Sequence, residues 1–398
     1  MTLISDPDQL AAFCERQREA AFVAVDTEFL RDSTYWPKLC LAQVAGPAEA
    51  AALDPLAPGM NLEPLFDLLH DPKVLKVFHS GRQDLEIFYL LMKDLPRPIF
   101  DTQVAAMVCG FGDSVGYDTL ARKLAGVQID KSSRFTDWSR RPLKKRQIDY
   151  ALSDVTHLRT VYEHLNKKLE ESDRSAWLDE EMSVLNNPET YRLEPASAWQ
   201  RLKTRGSDPR YLAVLRELAA WRETQAQARD VPRSRVLRDE QIFDIAVHRP
   251  TTPEELAQTR GLSADLARGR IGREILAAVA AGLAVPDQEL PRVPPRRELP
   301  NGTGPVVDLL KVLLKMKSED FGVAQKLIAN VSDLEEIAAD DKAEVAALAG
   351  WRREIFGRDA LALKHGRITL GVKRGKLRLV PRDGGAGEQG AARKEPVN

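Results

Sequence analysis

The chain has 398 residues, 58 Lys and Arg against 59 Asp and Glu, and 43% hydrophobic residues. Roughly 100–200 residues per domain predicts about two to four domains, and the 29% charged fraction excludes a largely disordered or membrane-embedded chain. The net charge of −1 means that a polyanionic partner is held by local patches rather than by the whole molecule. In chain order, Ala21–Val25 and Leu39–Val44 predict strands rich in Val and Leu. Ala50–Asp54 predicts a third, ended by Pro55, and Val74–Phe78 a fourth, broken by Ser80-Gly81. Leu85, Phe88, Tyr89, Leu91 and Met92 then recur at helical spacing. Ile99–Thr102 reads as a short strand or turn feeding a helix from Gln103 to about Cys109. Strands followed by strands, then interleaved helices, predict a mixed-sheet α/β domain.

From about residue 210 the periodicity is helical. Tyr211, Leu212, Leu215, Leu218, Ala219 and Trp221 form one amphipathic stretch that ends at Val231-Pro232. Six prolines between Pro286 and Pro305 mark a linker, and a second helical block runs from 306 to about 363. Ile368–Val372 and Leu377–Val380 flank Lys373-Arg374-Gly375-Lys376, which predicts a basic β-hairpin; residues 364–382 hold seven cations and no acid. Lysines there either extend a polyanion track or protect a sheet edge.

Three acidic features carry the chemistry. Asp26 and Glu28, in Val25-Asp26-Thr27-Glu28-Phe29, close the first strand. Residues two apart share a strand face, and like charges that close repel unless a cation or proton lies between them. A hard cation such as Mg²⁺ is one resolution; a solvent-facing strand end is the other. Asp84 falls in the first turn of a helix, where the helix dipole favours an acid regardless of function. In Gln147–Leu158 an apolar stripe runs through Ala151, Val155 and Leu158, while Tyr150 and Asp154 share another face, as an ordinary surface pair also would.

Taken together, Asp26, Glu28, Asp84, Tyr150 and Asp154 resemble the ribonuclease D family of proofreading-type 3′→5′ exonucleases in identity, order and approximate separation. Tyr150, four residues before Asp154, matches the tyrosine variant of the third motif. Tyr35-Trp36-Pro37, Phe100-Asp101-Thr102-Gln103 and Asp137–Leu143 fit as well, and the resemblance covers essentially the first 165 residues. Residues 208–283 resemble an HRDC domain, through Leu215-Arg216-Glu217-Leu218, Trp221-Arg222, Asp230-Val231-Pro232 and Leu262–Gly272. Residues 306–363 resemble the family's diverged second helical domain through Gly350-Trp351-Arg352-Arg353. The implied fold is an α/β exonuclease domain, a ribonuclease H-like mixed sheet flanked by helices, followed by two small all-α domains. The implied boundaries are 1–168 for the exonuclease domain, 169–207 for a helical linker and 208–285 for the HRDC domain. A proline-rich linker follows at 286–305, then a second HRDC-like domain with the basic hairpin at 306–382 and a disordered tail at 383–398.

The resemblance implies a metal-dependent 3′→5′ exoribonuclease that releases 5′-mononucleotides, using two divalent cations (Mg²⁺ or Mn²⁺) per site and no small organic cofactor. Asp26 would bridge the ions, Glu28 and Asp154 would complete one ligand set, and Asp84 would hold the second ion through water. Tyr150, with an ordinary phenol pKa of about 10, is a poor base and would orient a metal-bound water. The implied partner is RNA with a free 3′ end, tRNA precursors above all, and no membrane. Candidate RNA contacts are Phe29, which stacks on a base or packs in the core, and His79, which meets a phosphate or is structural. Lys131, Arg134, Arg140, Arg141 and Lys144 are further candidates; with Lys145 and Arg146 they face only one acid, Asp137, among Phe135 and Trp138. Arg268 and Arg270 beside Gly269 complete the set. Cys14, Cys40 and Cys109 form no CxxC pair, and the first residues show no secretory pattern, so a cytoplasmic protein is expected. Two other readings keep the scaffold: the same hydrolysis on DNA, or a non-catalytic RNA-binding protein. The second predicts loss of a motif carboxylate, and all four are present with Tyr150.

Overall fold

The computed structural model describes residues 2–134, 136–203, 206–292, 300 and 302–382; Phe135, part of the proline-rich segment and the 383–398 tail lie outside the described residues. The chain forms two compact units. One comprises Met1–Ile99, Ile129–Arg159 and Val184–Arg296; the other comprises Phe100–Gln128, Thr160–Ser183 and Arg297–Asn398.

Strands β1 (Thr2–Ile4), β2 (Phe22–Leu30), β3 (Lys38–Ala45), β4 (Ala50–Leu53), β5 (Leu75–Phe78) and β6 (Ile99–Asp101) form one sheet in the order β1-β4-β3-β2-β5-β6. β2 pairs antiparallel with β3 and parallel with β5, while β1 pairs parallel with β4, so the sheet is mixed as the strand pattern predicts. β1 and helix α1 (Pro7–Gln17) lie outside the predicted elements. Their signal is Asp6-Pro7: Asp6 accepts the Gln9 N–H at 3.0 Å, and Pro7 opens the helix at no hydrogen-bonding cost.

β2 is longer than its apolar run suggests. Its pairing with β3 continues to Leu30, past a bulge between Glu28 and Phe29, whereas its register with β5 runs from Phe22 to Ala24. Asp26 and Glu28 therefore sit inside a strand held on one side by β3, beyond the register with β5. Helix α2 (Glu63–His70) lies between β4 and β5, and from β5 the chain turns through Ser80, at φ 58°, and Gly81 into helix α3 (Arg82–Met92). A Cβ on Gly81 would lie 2.5 Å from the Cβ of Phe78, so only glycine fits the turn. Arg31, just after β2, holds α3 through two bonds to Glu86, at 2.9 and 2.8 Å. The long helix Lys145–Glu171 buries Ala151, Val155 and Leu158, the predicted stripe. Ala151 and Leu152 pack in one cluster with Cys40, Leu41, Ala52 and Trp138.

The same unit contains the helices Pro209–Arg229, Asp239–His248 and Arg270–Ala284, whose core includes Leu212, Leu215, Leu218, Ile242, Ile245 and Ile275. The loop after β2 is tied to the first of these helices. Asp230, its left-handed C-cap, accepts the backbone N–H groups of Tyr35 and Trp36 at 3.0 Å each. The Tyr35 hydroxyl donates to buried Glu223 and accepts from Gln227 at 3.1 Å and Arg233 at 3.0 Å. Arg233 also grips Glu223 twice, at 2.6 Å.

In the other unit, Asp101 caps helix α4 (Thr102–Val108) by accepting the N–H groups of Gln103 and Val104. Trp177 and Trp351 stack at 4.4 Å, and Arg352 lies over Trp351 while pairing with Glu180 at 2.6 Å and with Glu181. The Gly350-Trp351-Arg352 word is thus a packing motif. The predicted hairpin forms from β7 (Ile368–Lys373) and β8 (Lys376–Pro381). No helix among the described residues is long and apolar enough to cross a membrane.

Replacing Glu223 by Ala strands Arg233 and the Tyr35 hydroxyl. Chemical denaturation should show a loss of about 2–4 kcal/mol, moderated because about a third of the Arg233 side chain stays exposed. An unchanged denaturation midpoint would mean that the network adds nothing to stability.

Candidate active site

Asp26 and Glu28 project from β2 at the centre of the sheet, and Asp154 meets them from the long helix. One carboxylate oxygen from each lies within 4.8 Å of the others. Asp84, on the first turn of α3 and 7% exposed, accepts a short hydrogen bond from Thr27, the residue between the two strand acids. The fourth acid therefore flanks the three-oxygen cluster rather than joining it, and its charge is felt at Glu28. Tyr150, one turn before Asp154, donates its hydroxyl to that carboxylate. The buried Trp138 ring stacks on Tyr150 at 6.1 Å and fixes its plane.

The electrostatics follow from this crowding. Burial, and then the neighbouring Asp154 charge, raise the Asp26 carboxyl above the ordinary carboxylate range. Burial followed by the Asp26, Asp154 and Asp84 charges pushes Glu28 up to about 10. Asp154 is raised by burial, against the Tyr150 hydrogen bond and the positive charges of Arg134 and Lys131. The Tyr150 phenol is pushed upward by burial and by the Asp154, Glu28 and Asp26 charges, so it keeps its proton at neutral pH. Three converging carboxylates that each resist ionisation make a donor set of hard oxygens that fits a divalent cation.

Of the predicted RNA contacts, Lys131 and Arg134 act on the acids: both stabilise the Asp154 carboxylate, and Arg134 also offsets Glu28. Phe29 lies half-buried on β2 beyond the bulge, opposite Leu39, and His79 is half-buried just after β5. Arg141 is committed elsewhere, holding Asp54 at 2.6 and 2.7 Å and the Cys40 carbonyl at 2.7 Å. A count of cations does not reveal that pairing, because Asp54 is 87 residues away in sequence. Arg140 pairs with Asp137 at 3.1 Å, and Lys144 is exposed. Arg268 and Arg270 lie on the helical module beside Glu254 and Glu274, at 3.7 and 2.9 Å.

Sequence reasoning missed two residues. Thr27 was visible only as the spacer in Asp-Thr-Glu, yet it carries the link to Asp84. Gln43 stands opposite Asp26 on β3, is 0% exposed, and has neither amide atom hydrogen-bonded among the described residues. Its one sequence signal is a polar side chain inside the apolar run Leu39–Val44.

The chain is similar to known proteins over nearly its whole length. Residues 1–170 match the family described as 3′-5′ exonuclease, and residues 211–279 match the HRDC domain. Ribonuclease D of Granulibacter bethesdensis is 51% identical over 380 residues, 95% of this chain and 96% of that protein. Ribonuclease D of Nitrobacter hamburgensis is 52% identical over 382 residues, 96% of this chain and all of that protein. The crystal structure of Escherichia coli RNase D, an exoribonuclease involved in structured RNA processing, aligns with TM-score 0.77 at 30% identity, covering 92% of this chain and 98% of that one. The catalytic core of RRP6 from Trypanosoma brucei shares the fold, with TM-score 0.55 at 22% identity over 71% of this chain and 79% of that one.

The acids' raised proton affinities set a pH dependence for the metal-free protein. An unfolded carboxyl ionises near about pH 4, so above that pH the unfolded chain holds fewer protons at this cluster than the folded one. The cluster's contribution to stability is complete below about pH 4 and is lost as pH climbs toward the Glu28 value of about 10. In EDTA, the difference in thermal midpoint between Glu28→Gln and the wild type should grow in favour of Glu28→Gln from pH 5 to pH 8. A difference independent of pH would show that Glu28 is not held protonated.

Proposed function

The chain belongs to the ribonuclease D family of 3′→5′ exoribonucleases, and we propose that Asp26, Glu28, Asp84 and Asp154 hold two Mg²⁺ or Mn²⁺ ions while the enzyme releases 5′-mononucleotides from the 3′ ends of tRNA precursors and other structured RNAs in the cytoplasm. The observation that carries this reading is the convergence of the Asp26, Glu28 and Asp154 oxygens within 4.8 Å. Divalent cations in such a site acidify a water and stabilise charge on the attacking and leaving oxygens of the phosphodiester.

The chain's own groups divide the remaining work. Asp26 and Glu28 present their oxygens from a central strand, and Asp154 closes the set from the long helix. Thr27 orients Asp84 through its hydroxyl. Tyr150 keeps its proton near neutral pH, so it acts as a hydrogen-bond donor that orients the nucleophile, with Trp138 stacked behind it. Lys131 and Arg134 place positive charge where an incoming phosphate adds to the negative field. RNA substrates follow from the family.

Asp26→Asn tests the site. With a 5′-labelled RNA and Mg²⁺, the rate of 3′ shortening should fall about 10³-fold or more, since metal-held charge stabilisation is worth several kcal/mol. EDTA should abolish wild-type release. Undiminished turnover by Asp26→Asn would remove these residues from the reaction.

A further inference from the structure

We propose that the β7–β8 hairpin is a second RNA-contacting site, one that grips the phosphate backbone; this rests on RNA being the substrate. The register puts Lys373 opposite Lys376 and Gly371 opposite Arg378, so these cations share one face, while Ile368, Leu370, Val372, Leu377 and Leu379 share the other. Arg374 completes the cationic end at the turn, and Arg367 and Arg382 meet at the base through a 3.0 Å backbone bond. Among the described residues none of these six cations is in an ion pair, whereas Arg140, Arg141, Lys145 and Arg146 of the 131–146 cluster all are.

Local folding preferences oppose this arrangement. Like charges directly across a strand pair are destabilising, and Arg374 occupies a positive φ of 54°, where Asn or Gly is favoured. Choices that cost the hairpin stability make sense if a polyanion offsets them. Edge protection is the rival explanation, and it is satisfied by charge of either sign.

Charge reversal therefore separates the two. Binding of a stem-loop RNA with a single-stranded 3′ extension is measured in EDTA against KCl concentration, for wild type, Lys373→Glu/Lys376→Glu/Arg378→Glu, and Lys376→Glu alone. The triple variant should bind about 10-fold or more weakly, with the salt slope reduced by about 2–3; the single variant, which serves if the triple variant unfolds early, should lose about one unit of slope. Wild-type affinity and slope in the reversed variants would overturn the proposal. Absence of mononucleotide release by wild type with Mg²⁺ would instead count against the enzymatic reading, leaving the binding result to be judged by itself.

Discussion

Three carboxylates held with oxygens inside 4.8 Å repel one another, and the architecture of the first unit exists around keeping them there. β3 pairs with β2 along the whole acidic segment, so the strand cannot splay to relieve the repulsion. The β5 register ends at Ala24, which leaves the segment carrying Asp26 and Glu28 beyond the reach of that strand. Arg31 pins α3 through Glu86, and Thr27 reaches from the strand to Asp84. Burial of the crowded oxygens keeps protons on them, and the same convergence makes a donor set that fits a divalent cation.

Much of this was legible in the sequence because its parts are local. A polar pair two residues apart at an apolar run, an acid in a helix's first turn and a Tyr–Asp pair one helical turn apart each follow from short-range periodicity. Their assembly was legible only through their joint order along the chain, since each taken alone has an ordinary explanation. What could not be read depends on distant partners. Arg141 belongs with Asp54 and not with the cations around it. The extent of β2 is set by the bulge and by β3, neither of which is visible in residues 26–30. The short β1 escaped because three residues carry too little pattern.

The helical module matched by the HRDC family is held to the sheet by a mixture of buried charge and backbone contact. Glu223 and Arg233 satisfy each other and the Tyr35 hydroxyl, and the Arg233 guanidinium also lies 4.7 Å from the Tyr35 ring centroid. The loop thus held is the one that leaves the strand carrying Asp26 and Glu28, so the module and that strand are joined inside one compact unit.

Asp230 makes its part of that connection in a distinctive way. It holds the amides of residues 35 and 36, which every amino acid except proline supplies. That grip is indifferent to the ring at Trp36, whereas Tyr35 is held a second time through its hydroxyl by Glu223, Gln227 and Arg233. Lineages that drift at 36 would keep both halves of the joint, whereas loss of the carboxylate at 230 would release its backbone half in one step.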